Sequence, residues 1–330
     1  METPIKQISG LRQEQIRTYN DGVVRMMSVV LNLAADTLDA AVVDEIAQEC
    51  GVSRAYAYAE CLAAVCGLDT AGRDRDLFRH YFVPMIHELD PADFENDAYY
   101  QNIKITPGKS GKWEYKSMKL KPGEAFVCND FLVTRDGRMI PQLGFFMREF
   151  AFPGVLENGR EWMTLMPNET VTTKPAVDQA HGRVLTFGLG LGYFAYMAAR
   201  KPEVESVTVV DLSADAISLF EKNLLPQMEC RDKIRVVHAD AFEFAAEHYH
   251  TGEFDFVFAD IWHDVSDGKD LYLKFKSMEH LAPDMEFTYW LEESIKCYLD
   301  DALWPQPGFC KKIAFFKNRG TFSKFSHLYK

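Results

Sequence analysis

The sequence predicts an α/β protein: a doubly wound, mostly parallel sheet, with a helical N-terminal region and a small antiparallel β segment before it. Three observations carry this prediction. From about residue 168 onward, short apolar runs alternate with amphipathic runs of helical period, the pattern of buried parallel strands joined by helices. Between about 99 and 165, strand-like runs are separated by Pro-Gly, Arg-Asp-Gly and Asn-Gly, which signal hairpins. Up to about residue 95 the apolar residues recur at helical spacing. The expected organisation is therefore a helical region over 1–95, a β segment over 96–165 and the α/β domain with a C-terminal extension over 166–330.

In the helical region, "DGVVRMMSVVLNLA" places its apolar residues on one face. "AAVVDEIAQECGVSRAYAYAECLAAVCGL" continues in pieces broken at Gly51. Ile46, Ala47, Cys50, Gly51 and Val52 fall where a helix-turn-helix wants small or apolar residues. Glu60, however, takes a position such a motif buries, and its second helix carries only Arg54 as a base. A reading helix needs several side chains for phosphates and base edges. Helical packing or a homodimer contact is the expectation instead of DNA binding.

Composition points the same way. The net charge of −13 opposes non-specific nucleic-acid binding. The basic runs Lys104–Lys121 and Lys311–Lys330 read as a solvated hairpin and a tail. No stretch of 18 apolar residues occurs, so no membrane span is expected. The N-terminus has no basic-then-apolar leader pattern, and the seven cysteines form no CxxC pair. Reduced thiols in a cytoplasmic protein are the expectation, with neither a disulfide framework nor a zinc site.

The alternating part opens with the strand "RVLTFG" and the helix "YFAYMAARK". The strand "VESVTVVDL" follows, then the helix "SADAISLFEKNLL" with Ser213 as its N-cap. "KIRVVHAD" precedes the helix "AFEFAAEHYH", and "FDFVFADI" precedes "GKDLYLKFKSMEHL". Ligands of such sheets bind at the carboxyl ends of the strands. The later stretch "LAPDMEFTYWLEESIKCYL" lacks the usual apolar fifth strand and reads as helix.

The loop "GLGLG" after the first strand lets backbone approach a ligand closely. A triphosphate loop would carry Lys-Ser or Lys-Thr after its last glycine, and here Tyr193 and Phe194 follow. A dinucleotide loop needs G-x-G-x-x-G. Gly188, Gly190 and Gly192 are spaced G-x-G-x-G, with Tyr193 in the place of the packing glycine. Three acids then end three strands. Asp211 can accept ribose hydroxyls, Asp240 can accept the amine of an adenine, and Asp260 stands at the crevice mouth.

"VLTFGLGLG", "VTVVDLS", "VVHADAFEF" and "FDFVFADIW", in this order, resemble the class I S-adenosylmethionine-dependent methyltransferases over about residues 165–282. The chain looks most similar to the spermidine-synthase-like branch, which shares a β-structured segment before the glycine loop. The resemblance implies a Rossmann-like methyltransferase sheet with S-adenosylmethionine as cofactor. It implies that Gly188, Gly190 and Gly192 lie under the methionine portion and ribose, and that Asp211 binds the ribose hydroxyls. Leu212 would pack on the adenine, and Asp240 with Ala241 would meet the adenine edge.

At the fourth strand, Asp260 is the candidate catalytic residue, as base or as the group orienting the acceptor. Aminopropyltransferases read Asp-Ser-Ser-Asp at this place, whereas this chain has Ile-Trp-His-Asp after Asp260. Asp-x-Trp-x-Asp is also similar to the metal loop of catechol-type O-methyltransferases, but their Asn-containing partner pair is missing and no metal is expected. Glu169 in "MPNETVTTKPA" is placed to reach cofactor or substrate from below the glycine loop. The expected function is methyl transfer to a small molecule or protein side chain. The alternatives are aminopropyl transfer from decarboxylated S-adenosylmethionine, or a non-catalytic regulator retaining the fold.

Overall fold

The computed structural model describes residues 12–299. Along the chain the strands are β1 (Ile86–Leu89), β2 (Gly108–Ser110), β3 (Trp113–Leu120), β4 (Phe126–Val133), β5 (Met139–Phe146), β6 (Phe150–Glu157) and β7 (Arg160–Thr164). The last five are β8 (Gly182–Phe187), β9 (Val204–Asp211), β10 (Ile234–His238), β11 (Phe256–Ala259) and β12 (Glu286–Tyr289). Two compact units divide them. One takes the chain up to Asp90 together with Leu120–Phe150; the other takes Pro91–Lys119 and Ala151–Leu299. The basic tail Lys311–Lys330 lies outside the described residues.

The first unit is built on helices α1 (Gln13–Leu33), α2 (Ala40–Cys50) and α3 (Arg54–Val65), packed on a three-stranded sheet ordered β1-β5-β4. Helix α2 is capped by Asp39 and ends at Gly51 in the left-handed region, and Ser53 caps α3, so both ends of the turn are written in the sequence. Glu60 is half-buried and accepts the Thr70 hydroxyl at 3.0 Å. Two polar residues are buried here among the described residues, Asn20 and Gln142, and Asn20 uses both ends of its amide. Its Oδ1 accepts the Tyr81 hydroxyl (2.7 Å) and the Met139 N–H (3.0 Å), and its Nδ2 donates to the Gly137 carbonyl.

Two expectations change in this unit. Ile86–Leu89, inside the region read as helical, is a strand that pairs in parallel with Leu143–Phe146. The strand-like runs of the middle segment also do not form one antiparallel sheet. β4 and β5 join β1, while β2, β3, β6 and β7 form a separate four-stranded sheet in the second unit. Periodicity reveals strands but not partners, because pairing is decided by contacts distant in sequence. The lysine-rich run forms the β2–β3 hairpin.

The second unit holds a five-stranded parallel sheet ordered β10-β9-β8-β11-β12. Its strands are nearly continuous apolar runs, as a sheet covered on both faces requires; Val184, Leu185, Phe187, Val207, Val209, Phe256 and Val257 are all buried. Helices α8 (Pro167–Gln179), α9 (Tyr193–Ala199), α10 (Ala214–Asn223), α11 (Ala241–His248) and α12 (Val265–Met278) accompany it. Ser213 caps α10, accepting the Ala216 N–H at 3.2 Å.

A further correction falls at the end of the sheet. The stretch read as helix begins with strand β12, paired to β11, and only Glu292–Leu299 is helical. Four residues are too few to show a strand period. Pairing decides the conformation there: Thr288 Oγ1 donates to the Val257 carbonyl at 2.9 Å, and Phe287 packs edge-on against Tyr249.

Opposite the glycine loop, the Asp255 carboxylate ties β8 to β11. It accepts the Arg183 N–H (2.8 Å), Nε (2.9 Å) and Nη2 (2.7 Å). The Arg183 guanidinium lowers the Asp255 pKa from 3.8 to about 2, against the opposing effect of burial. A depressed carboxylate stabilises the fold above its unfolded pKa and ceases to do so as pH falls through its folded one. The acid-side loss of stability between pH 3.8 and about 2 should therefore be shallower in Asp255→Asn. Both side chains are more than a third exposed, so the difference is about 1 kcal/mol or less, measured by urea denaturation across that range.

Candidate functional site

The chain leaves β8 in the middle of the sheet, where the strand order reverses, and this is where a crevice opens. Gly188, Gly190 and Gly192 all have positive φ, at 98°, 51° and 73°. The loop is pinned on both sides. The Gly188 N–H donates to the Val210 carbonyl (2.9 Å), the Gly192 N–H to the Leu189 carbonyl (2.7 Å), and the Leu189 N–H to Asp211 Oδ2 (3.0 Å). Leu189 and Leu191 between the glycines are buried. The alternation Gly-Leu-Gly-Leu-Gly thus anchors two side chains in the core and leaves the intervening backbone bare.

Each glycine is required by a different neighbour. A Cβ on Gly188 would collide with the Asp260 carbonyl, one on Gly190 with the Met163 sulfur, and one on Gly192 with the Phe220 ring. From the opposite side, the Leu191 carbonyl accepts the Tyr99 hydroxyl at 2.6 Å, and the Tyr193 hydroxyl donates to Asp97 Oδ2 at 3.1 Å. Burial raises the Tyr193 pKa, with Asp97 adding to it, so this hydroxyl stays a donor.

A partly open cleft of about 540 Å³, counted with the solvent at its mouth, lies against this loop. Of the residues singled out in the sequence, Gly188, Gly190, Asp260 and Glu169 line it. Glu169 is 2 % exposed, a carboxylate brought to the cleft by the first turn of α8. Asp211 reaches the same loop through Leu189 and also accepts the Ser213 N–H at 2.8 Å. Burial raises its pKa, and those two hydrogen bonds and His238 oppose the rise. Each of its oxygens keeps a second lone pair for a further donor.

The remaining residues stand farther along the same carboxyl edge and do not line this cleft. Asp240 is the N-cap of α11, its Oδ1 accepting the N–H groups of Phe242 (2.8 Å) and Glu243 (3.0 Å), with Ala241 as the first helical residue. Leu212 is 69 % exposed, an apolar side chain presented to solvent beyond the end of β9. Gly192 is the N-cap of α9.

Several lining residues carried no signal in the sequence. Trp162 and Met163 come from β7, and the Met163 sulfur accepts the Leu191 N–H at 3.3 Å. Trp262, which the Asp-x-Trp-x-Asp pattern did mark, is 3 % exposed, and its indole N–H has no partner among the described residues. "REWMT" reads simply as a strand, and nothing local says that it faces the glycine loop. The acids after Asp260 act as a helix cap. Asp264 caps α12, accepting the Ser266 N–H at 2.7 Å, and Asp267 accepts the Asp264 N–H at 3.0 Å. Among the described residues, no three His, Cys, Asp or Glu side chains converge as a metal site.

The close approach of Gly188 to Asp260 is testable without any ligand. Gly188→Ala places a side chain at φ 98° and against a backbone carbonyl, at a cost of about 2–3 kcal/mol. Gly252→Ala, also at positive φ but with open space around it, should cost about 1 kcal/mol. Chemical denaturation of the two variants measures the difference.

The family profile of a methyltransferase domain matches residues 184–282, which run from within β8 to just past α12. No curated protein matches the chain. Among solved structures, a spermidine synthase from Thermotoga maritima aligns at 16 % identity and a TM-score of 0.30, covering 51 % of this chain and 51 % of that one. A spermidine synthase in complex with the transition-state analogue AdoDATO aligns at 16 % identity and a TM-score of 0.34, covering 56 % and 57 %. The match thus spans about half the length of each. Residues 184–282, which hold the glycine loop and the ends of β8, β9, β10 and β11, are thus similar to a methyltransferase domain.

Proposed function

We propose that the chain is an S-adenosylmethionine-dependent methyltransferase acting on a small molecule or a protein side chain. The observation that carries this reading is the bare backbone at Gly188 and Gly190 beside Asp260, in one cleft of a methyltransferase domain. When bound, S-adenosylmethionine supplies a sulfonium methyl group open to in-line displacement. Gly188, Gly190 and Gly192 hold its methionine portion and ribose, and Asp211 accepts the ribose hydroxyls with its remaining lone pairs. Leu212 covers the adenine, and Asp240 with Ala241 meets its edge.

Asp260 orients the acceptor, because it lines the cleft while its backbone N–H is fixed by the Phe187 carbonyl at 2.9 Å. The aromatic wall of Trp162, Tyr193, Phe194 and Trp262 excludes water from the reacting groups. Bulky Trp262, near the serines of the aminopropyltransferase signature, favours methyl over aminopropyl transfer. The acidic composition fits a small-molecule or protein acceptor in the cytoplasm better than a nucleic acid.

Calorimetry with S-adenosylmethionine and its decarboxylated form tests the reading. Tighter binding of S-adenosylmethionine is expected, and a preference for the decarboxylated ligand would replace methyl by aminopropyl transfer. Asp211→Ala should weaken cofactor binding by roughly 10- to 100-fold; unchanged affinity would place the pocket elsewhere. Asp260→Asn should leave cofactor affinity within about twofold while lowering transfer of labelled methyl by roughly 100-fold or more.

A further inference from the structure

Proton removal at this site has a better-held candidate than Asp260. His263 follows the cleft-lining Trp262, and its ring packs edge-on against Trp162, with centroids 4.2 Å apart and planes at 69°. Its Nδ1 lies 2.9 Å from Asp267 Oδ2, and its backbone N–H donates to both oxygens of the same carboxylate, at 3.1 and 3.3 Å. Asp267 is itself fixed in the reciprocal cap of α12, where its Oδ1 accepts the Asp264 N–H. Burial would raise the Asp267 pKa, but His263 and the backbone donors outweigh it and hold the carboxyl below its ordinary value.

An ionised carboxylate only accepts, so Nδ1 carries the imidazole proton and Nε2 keeps its lone pair. Among the described residues, the ring makes no hydrogen bond besides that to Asp267. The charged group that faces it is Asp267 on α12; from β7 it meets the uncharged Trp162 ring. The cap alone would need no histidine, and a histidine in contact with the cleft wall is the element it leaves unexplained.

We propose that His263, oriented by Asp267, takes the proton of the methyl acceptor, which restricts acceptors to groups that lose an N–H, O–H or S–H proton on transfer. The inference rests on the methyltransferase reading. The acceptor heteroatom forms its bond to the methyl carbon as the carbon–sulfur bond breaks, and the electron pair of that bond stays on sulfur as a neutral thioether. The acceptor proton passes to His263 Nε2, giving an imidazolium paired with Asp267, and from there to water. Asp260 then serves orientation and His263 proton transfer.

The test is a titration of the full-length protein with ¹⁵N-labelled histidine, read by nuclear magnetic resonance. It is run free, with saturating S-adenosylmethionine and with saturating S-adenosylhomocysteine, its uncharged thioether product. The neutral ring of His263 is expected as the Nδ1–H tautomer. A sulfonium at the reaction centre opposes a second positive charge, so the protonation constant should be about threefold or more lower with S-adenosylmethionine than with the thioether. Equal constants in the two complexes, or a neutral Nε2–H tautomer, overturn the assignment of His263 and leave the methyltransferase reading standing. Failure of the wild-type protein to bind either ligand overturns both. The His263 signal is identified by its loss in His263→Gln, or in His263→Asn should that variant not fold; the wild-type titrations decide the outcome.

Discussion

The carboxyl edge of the parallel sheet depends on one close approach, the backbone of Gly188 passing against the carbonyl of Asp260. The two residues end β8 and β11, neighbouring strands at the reversal of the strand order, and a side chain at 188 would push them apart. The contact is made of backbone on both sides, so it leaves no room for a side chain at 188. Asp211 completes the arrangement from β9 by accepting the Leu189 N–H. A loop pinned in this way has little freedom left to lose when it is ordered further.

Around that fixed centre, the acidic residues divide into two kinds of work. Asp240 and Asp264 satisfy N–H groups at helix starts, where an acid removes orphan donors and suits the helix dipole. Asp211, Asp260 and Glu169 hold carboxylates at or beside the crevice. A strand-end acid in an α/β protein can serve either purpose, and the sequence pattern is the same for both. The hydrogen-bond partners separate them, and in Asp267 the two kinds of work overlap, since one oxygen completes a cap while the other holds the His263 ring.

The second unit also brings a small antiparallel sheet to the cleft. β7 delivers Trp162 and Met163 to the glycine loop, so the cleft is walled by a strand outside the parallel sheet. Glu169 enters from the first turn of α8, which follows β7 after a short connection. The cleft is therefore shaped in part by residues N-terminal to the segment that matches the methyltransferase profile.

Local chemistry made much of this legible in the sequence. Apolar runs alternating with amphipathic ones determined the parallel sheet, Ser213 marked a helix start, and the spacing of Gly188, Gly190 and Gly192 with Tyr193 and Phe194 after them excluded two nucleotide loops. These features act through their own backbone neighbourhood, so neighbouring residues suffice to read them. The tertiary structure decided what depends on distant partners. β1 is a strand because β5 lies beside it, and β12 is one because β11 does. β4 and β5 left the antiparallel segment for another sheet. Met163 meets the glycine loop, and the His263 ring meets the Trp162 ring, only after β7 and α12 have packed, because side chains distant in sequence are brought together by burial and strand pairing rather than by any local preference.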